Sequence, residues 1–339
     1  MVPALLRALL PALLLCAASA SLAQEGFPAT LGLTPWQLHE DPAAMADSGG
    51  VRVRDAFILP TRTIGGLRFA ELSDLAWDED DGVLYAVSDK GMLFTLGIEF
   101  SNDHIHGVRV LAGHRLRDAR GRPVKGKDYD SEGLTILNGH NGKNGDAELL
   151  VSFEHNTRIA RYRPDGTWLA DLPLPPAWRN ASRYRSPNKT LEGICIDTQG
   201  TIFTGPELPA HDAAPGTNDL FALDGRTWHY RSEGHYGLTA LACIGPRTLL
   251  LLEREFSTAS LRVRIRLRRL QLPAAPDDAV LEPTVLSEFD SHKGFQLDNF
   301  EGLAHHRGDR YFMVSDDNDM FLQRTLLWYV EIPGAVPTR

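Results

Sequence analysis

The sequence predicts an all-β fold, a single β-propeller of five blades, on three observations. A short phrase recurs with an acidic or hydroxyl residue at one fixed place: Ser73-Asp74-Leu75-Ala76, Glu132-Gly133-Leu134-Thr135, Glu192-Gly193-Ile194-Cys195, Thr239-Ala240-Leu241-Ala242 and Glu301-Gly302-Leu303-Ala304. The intervals between phrases, 59, 60, 47 and 62 residues, each accommodate four strands and their loops. Short apolar runs punctuated by Gly, Asp, Asn and Pro, with no long amphipathic periodicity after the N-terminal segment, read as strands rather than helices. A sixth, degenerate blade within 94–129 or 163–190 is the alternative count.

Residues 1–23 read as a signal peptide: Arg7 supplies the positive region, Ala8–Ala18 the apolar one and Ser21-Leu22-Ala23 the cleavage site. The apolar run is too short to span a bilayer, and no later run is longer. Cys16 follows the bulky Leu15, a poor lipid-attachment context, so a lipoprotein is not expected. The expected destination is secreted or periplasmic. Cleavage would leave 316 of 339 residues, and loss of Arg7 would take the net charge from −9 to about −10. An acidic chain has no electrostatic reason to bind nucleic acid. It suits a cation, and through it a small anionic substrate. A monomer without a transmembrane segment is expected.

The elements follow in order. Residues 24–48 form an N-terminal extension, and the propeller domain spans 49–334. Blade one contains Val83–Val87. Blade two reads as Gly133–Leu137, Leu149–Phe153, Arg158–Arg163 and Trp168–Leu172, followed by a Pro- and Arg-rich loop up to Lys189. Blade three contains Thr201–Thr204. Blade four contains Thr248–Leu252 and Val263–Leu270. Arg262, Arg264, Arg266 and Arg268 alternate there, so they share one face, expected to be a solvated outer surface. Blade five shows three strands, including Tyr311–Val314 and Leu326–Ile332. Val51–Leu59 has no repeat of its own and is expected to complete that blade, closing the ring and removing exposed sheet edges. Cys195 and Cys243 occupy matching places in repeats three and four. Two buried free thiols are the expectation, with a disulfide as the alternative in an oxidising compartment.

Equivalent repeat positions lie at one depth around a propeller axis. Ser73, Glu132, Glu192, Thr239 and Glu301 are therefore expected to form a ring. Each second strand ends in a carboxylate, giving Asp89, Glu154, Glu207, Glu253 and Asp316 near a mouth of the channel. Confined carboxylates repel one another unless protonated, solvated or bound to a cation. An all-oxygen set suits a hard cation, and Ca2+ tolerates its irregular geometry better than Mg2+. The ring contains no His or Cys, which disfavours zinc and copper. Glu132 and Glu192, like Glu301, are followed by a glycine that permits close backbone approach. Lys90, Arg254 and the loop residues Arg179, Arg183 and Arg185 are candidates for holding an anion. The mouth carboxylates are candidate general bases, with His155 as a further one. His305-His306 follows the last phrase. No Gly-x-Ser-x-Gly nucleophile motif is present.

Asn188-Lys189-Thr190-Leu191-Glu192-Gly193-Ile194 and Asp298-Asn299-Phe300-Glu301-Gly302-Leu303 resemble the bacterial phytase-like family, described as esterase-like activity of phytase. Leu72-Ser73-Asp74-Leu75 with Leu84-Tyr85-Ala86-Val87-Ser88-Asp89 fits that family's opening repeat. The likeness runs from about residue 50 to 332 and implies a hydrolase of phosphate or other esters. The ring is also similar to that of the calcium-activated nucleotidases (apyrases), five-bladed propellers with one axial calcium. This implies calcium ligation by Ser73, Glu132, Glu192, Thr239 and Glu301. Those enzymes' nucleotide-binding loops have no match here. The alternatives are a non-catalytic binding propeller with structural calcium, or a lactonase-like metal hydrolase with Asn156 as its axial amide.

Overall fold

The computed structural model describes residues 26–41, 50–186 and 189–335. The expected signal peptide, with Cys16, lies outside the described residues. Five sheets surround one axis, antiparallel except where Val280–Leu281 pairs parallel with the edge of the third. The four strands of blade 1 are Leu72–Asp78, Val83–Ser88, Met92–Ser101 and His104–Arg115; those of blade 2 are Ser131–Leu137, Glu148–Phe153, Arg158–Tyr162 and Trp168–Asp171. Blade 3 comprises Leu191–Ile196, Ile202–Pro206, Thr217–Ala222 and Thr227–Arg231, and blade 4 comprises Gly237–Gly245, Thr248–Ser257, Arg262–Gln271 and Thr284–Asp290. Blade 5 takes Asn299–Arg307, Arg310–Asp316 and Leu326–Glu331, and Arg52–Ile58 pairs antiparallel with the last of these. The two ends of the chain thus share one sheet, and no sixth blade is present among the described residues. Part of the N-terminal extension belongs to the sheets. Ala29–Leu31 edges blade 1, and Thr34–Pro35 edges blade 5.

The second strands are apolar on both faces because each blade packs between two others. Leu249, Leu250, Leu251 and Leu252 are all fully buried, as are Tyr311, Phe312, Met313 and Val314. This explains why the strands read as continuous runs rather than strict alternations.

The repeated phrase is a β-bulge. In every inner strand the ladder slips between the residues flanking Ser73, Glu132-Gly133, Glu192-Gly193, Thr239 and Glu301. A bulge re-aims one side chain, so the five phrases present their polar residues at equivalent places around the axis. The glycines after the acids are demanded by crowding. A Cβ on Gly133 would lie 2.3 Å from the Glu192 carbonyl oxygen, and one on Gly193 would lie 2.5 Å from the Leu241 nitrogen. Asp74 stands where the acidic repeats have glycine. Its buried carboxylate accepts N–H bonds from Leu75, Leu134 and Leu303, at 2.8, 2.7 and 3.0 Å, tying blade 1 to blades 2 and 5. Removing that carboxylate would orphan buried donors at about 1–3 kcal/mol each.

Two expectations are corrected. Cys195 and Cys243 form a disulfide, with Cα atoms 5.5 Å apart, rather than two free thiols. Matching positions in successive repeats lie side by side on adjacent inner strands, which is the distance a disulfide requires. Closing a loop with a sequence separation of 48 stabilises by about 4 kcal/mol in the chain-entropy picture. The arginine face of blade 4 is not a uniformly solvated surface. Arg266 and Arg268 are each only 2% exposed and both bond Glu253. Arg262 and Arg264 pair with Asp290 and Glu255 nearer the rim.

Candidate active site at the acidic mouth

Each inner strand enters the channel at its bulge, and each second strand returns to the same level. The ring therefore lies beneath a second tier set by the end of the second strands. The residue before each ring residue pairs with Ser88, Phe153, Pro206, Glu253 or Ser315. The next residues along, Asp89, Glu154, Glu207, Arg254 and Asp316, are then equivalent. Arg254, not Glu253, fills this tier in blade 4. Glu253 points to the opposite face of its strand, fully buried between Arg266 (2.8 Å) and Arg268 (3.2 Å), and does not serve the mouth.

The structure brings two groups of carboxylates within metal-sharing distance. Asp130, Glu132 and Glu154 offer oxygens all within 4.8 Å of one another, and so do Glu154, Glu192 and Glu207. Glu132, Glu192 and Glu301 do not form such a group among the described residues. Ring and mouth residues of blades 2 and 3 converge instead. Glu154 takes an N–H bond from Thr190 at 3.0 Å, which fixes it between the blades.

Three cations counter these acids. Lys189 bonds Glu207. Arg254 lies 3.6 Å from Glu301 and 3.9 Å from Glu207. Lys90 bridges Glu71 and Asp89, each at 2.8 Å. Asn299 donates to Glu301 at 2.7 Å. Several oxygens remain without partners although buried: Ser73 Oγ, Thr190 Oγ1, Asn299 Oδ1 and Asp89 Oδ1. Buried polar atoms ordinarily find a partner, so orphaned acceptors beside carboxylates fit a cation or substrate contact.

Burial, compounded by mutual repulsion, pushes the acids up. Burial and then Glu154 hold Glu132 and Glu192 well above the carboxylate range. Glu154 is pushed up to about 8 by burial, against opposing contributions from a hydrogen bond with Glu192 and from Lys189. Burial takes Glu301 to about 7, with Arg254 opposing it. Burial and Glu301 take Asp316 to about 9, while burial opposed by Lys90 leaves Asp89 at about 6. Burial works against the charges of Lys90 and Lys189, but their carboxylate partners raise both overall.

The other expected residues are placed as follows. The Thr239 hydroxyl is at the ring but donates toward the Phe300 carbonyl at 3.1 Å, joining blades 4 and 5. Arg183 is bound to Asp219 at 3.1 Å beside Phe221, Arg179 is exposed on a one-turn helix, and Arg185 bonds the Pro209 carbonyl. None of the three bonds a mouth carboxylate. His155 pairs with Asp130 at the rim, and the exposed Asn156 bonds Asp128. His305 and His306 lie at the far end of an inner strand. His306 is packed among Trp77, Phe100, Phe312 and Tyr329, and burial pushes it down to about 3.

Sequence reasoning missed Asp130, Glu71 and Asn299 at the mouth, and set Lys189 only among the basic loop residues near the site. Arg254 was expected to hold an anion but not to fill the blade 4 place of the tier, although it lies fifteen residues after Thr239, the separation that also links Glu192 to Glu207 and Glu301 to Asp316. At the opposite end of the channel a cavity of about 360 Å³ is lined by all five inner strands, including Leu75, Leu134, Ile194, Leu241 and Leu303. Its wall is mixed, with Glu79, Asp197 and three histidines beside the apolar side chains, and carries none of the mouth carboxylates.

Comparison with known families decides the relationship. The family model Phytase-like, described as "Esterase-like activity of phytase", matches residues 67–319, most of the propeller. The chain belongs to the Phytase-like family. No curated protein matches the sequence. Among solved structures, that of U3-55K is 9% identical with a TM-score of 0.40, covering 78% of this chain and 77% of that one. The β-propeller domain of Myceliophteria thermophila Cps50 (Swd1) is 11% identical with a TM-score of 0.37, covering 89% and 99%. Likeness at this level carries no argument about what this Phytase-like chain does. Membership suggests an esterase-like hydrolase, and the clustered acids of the mouth could bind a metal ion. No helix among the described residues is long and apolar enough to cross a membrane.

Proposed function

We propose that the chain is an exported calcium-dependent hydrolase of phosphate or related esters, working at the acidic mouth. The observation that carries this reading is the gathering of Asp130, Glu132, Glu154, Glu192 and Glu207 into metal-sized groups, with Lys90, Lys189 and Arg254 beside them. The calcium would lie on Glu154, the carboxylate common to both groups, with Asp130 and Glu132 or Glu192 and Glu207 as its further ligands, while Ser73 and Glu301 stand in the ring outside either group. Thr239 is a weaker member because its hydroxyl is already engaged. Bound calcium would supply electrophilic polarisation of the ester. Arg254, Lys90 and Lys189 would orient its anionic group. Asp89 and Asp316 have environments that separate their acidities, about 6 against about 9. Such a pair suits a division into base and acid near neutral pH, Asp89 accepting a proton from water and Asp316 donating one to the leaving oxygen.

The test is a panel of phosphate and carboxylic esters with calcium present. Turnover is expected in the wild type, falling about 100-fold or more in Asp89→Asn and Asp316→Asn at unchanged calcium affinity. Turnover unaltered in both variants, or absent on the whole panel, contradicts the proposal. One observation favours a second reading, a binding propeller with structural calcium. Met320, Phe321 and Leu322, at 58%, 97% and 75% exposure, project from the loop that follows Asp316. An apolar tip beside the mouth suits a partner or an apolar substrate moiety. Nothing favours the lactonase-like reading, since Asn156 is turned to the rim.

A further inference from the structure

We infer that the mouth binds two divalent cations, bridged by Glu154, rather than a single axial ion. The inference rests on the metal reading above and deepens it. Calcium takes oxygens at about 2.3–2.6 Å, so two ligands of one ion lie at most about 5 Å apart. Asp130, Glu132 and Glu154 satisfy that limit, as do Glu154, Glu192 and Glu207. No larger set does among the described residues, so the five acids divide into two centres. Glu154 alone belongs to both.

Charge is compatible with two ions once the acids are ionised. The five acids carry five negative charges when ionised, and Lys189 on Glu207 offsets one. Adding Glu301 brings Arg254 with it, at 3.6 Å, and leaves the balance unchanged. Four negative charges remain on these groups, before Asp316 and the Lys90–Asp89 pair of the same mouth are counted. Two divalent ions neutralise them, whereas one leaves two uncompensated, a costly arrangement away from water.

An independent feature points to a ligand at this place. Thr190 is completely buried, and its N–H is fixed on Glu154 Oε1 at 3.0 Å, yet its hydroxyl has no partner. Ser73, 1% exposed at the ring, likewise has an unpartnered hydroxyl. The Thr190 hydroxyl, on a residue whose backbone is bonded to Glu154, is a neutral oxygen of the kind calcium accepts beside carboxylates. Glu207, held by Lys189 and near Arg254, makes the blade 3 centre the less negatively charged of the two. The blade 2 centre, with the half-buried Asp130 at the rim, is expected to fill first.

The test counts ions in the folded, chelated and reloaded protein by native mass spectrometry and calorimetry with Ca2+. Spectra of the Mn2+-loaded form then report whether two ions share a ligand. Two ions per chain are expected, with exchange coupling between manganese ions. Asp130→Asn and Glu207→Gln should each retain one ion, and Glu154→Gln should lose at least 100-fold in affinity for both. One ion in the wild type overturns the inference and leaves the calcium reading standing. No bound ion overturns both. Two uncoupled ions, or a Glu154→Gln protein that binds as the wild type does, show that Glu154 is not a bridge. If Glu154→Gln fails to fold, the two single-centre variants still decide the number.

Discussion

Glu192→Gln is expected to lower calcium affinity by at least 100-fold and to abolish ester hydrolysis, while making the metal-free protein more stable. The two effects have one cause. Glu192 is 6% exposed, and burial together with Glu154 disfavours its charge. Gln keeps the shape and removes the charge that a cation would neutralise. Without a cation the same change relieves repulsion, and a gain of roughly 1–3 kcal/mol is of the right order for one buried like-charge contact. Calcium titration by calorimetry and thermal melting of both proteins check the pair of outcomes. A variant that binds calcium as tightly as the wild type would remove Glu192 from the ligand set. A variant less stable than the wild type when metal-free would show Glu192 to be structural.

The second large effect concerns pH. Glu301, Glu154 and Asp316 are raised to about 7, 8 and 9, chiefly by burial. A carboxyl group whose folded pKa exceeds its unfolded one contributes stability that is complete below the unfolded pKa and is lost as pH rises through the folded value. Metal-free protein is therefore expected to lose stability from about pH 4 up to about pH 9, most steeply below about pH 7, where all three acids keep their protons only in the folded state. A net loss of about 4 kcal/mol, equivalent to roughly 10 °C in Tm, is the expected scale for this coupled set. Saturating calcium should suppress the loss, because the ion favours the ionised form that repulsion disfavours, and its affinity should rise over the same interval as protons are displaced. Melting curves from pH 5 to 9, with chelator and with calcium, provide the check. A flat profile without metal would mean that the acids are better solvated than their burial indicates.

Much of the architecture was legible because the repeat is a physical necessity. Five inner strands converge on one axis, and each must bulge there, so each carries a polar residue at the same place and usually a glycine after it. Counting those phrases counted the blades. The strand without a repeat, Arg52–Ile58, had only one vacant edge to occupy. The face of each second-strand end was harder to read. Glu253 and Arg254 adjoin in sequence but point oppositely, and selecting the carboxylate at the end of the run overrode the fifteen-residue register that leads to Arg254. Buried ion pairs were likewise hidden. Alternating arginines look solvated until Glu253 is found on the adjacent strand, opposite Arg266. The disulfide depended on two inner strands lying side by side, which the repeat implies but composition does not. Loop residues 179–185 were expected at the mouth from their position before Glu192. The chain instead fastens Arg183 to Asp219 and brings only Lys189 to Glu207.

The central claim is that the crowded acids of the mouth exist to hold a divalent cation. The most direct measurement is the melting temperature of the metal-free protein near pH 7.5 while calcium, and separately magnesium, is titrated back. The account predicts saturable stabilisation by calcium at micromolar concentrations, with magnesium much weaker because it demands stricter octahedral geometry. No shift with either ion, in protein verified to be metal-free, would contradict it and make the acidic mouth a structural feature of the propeller.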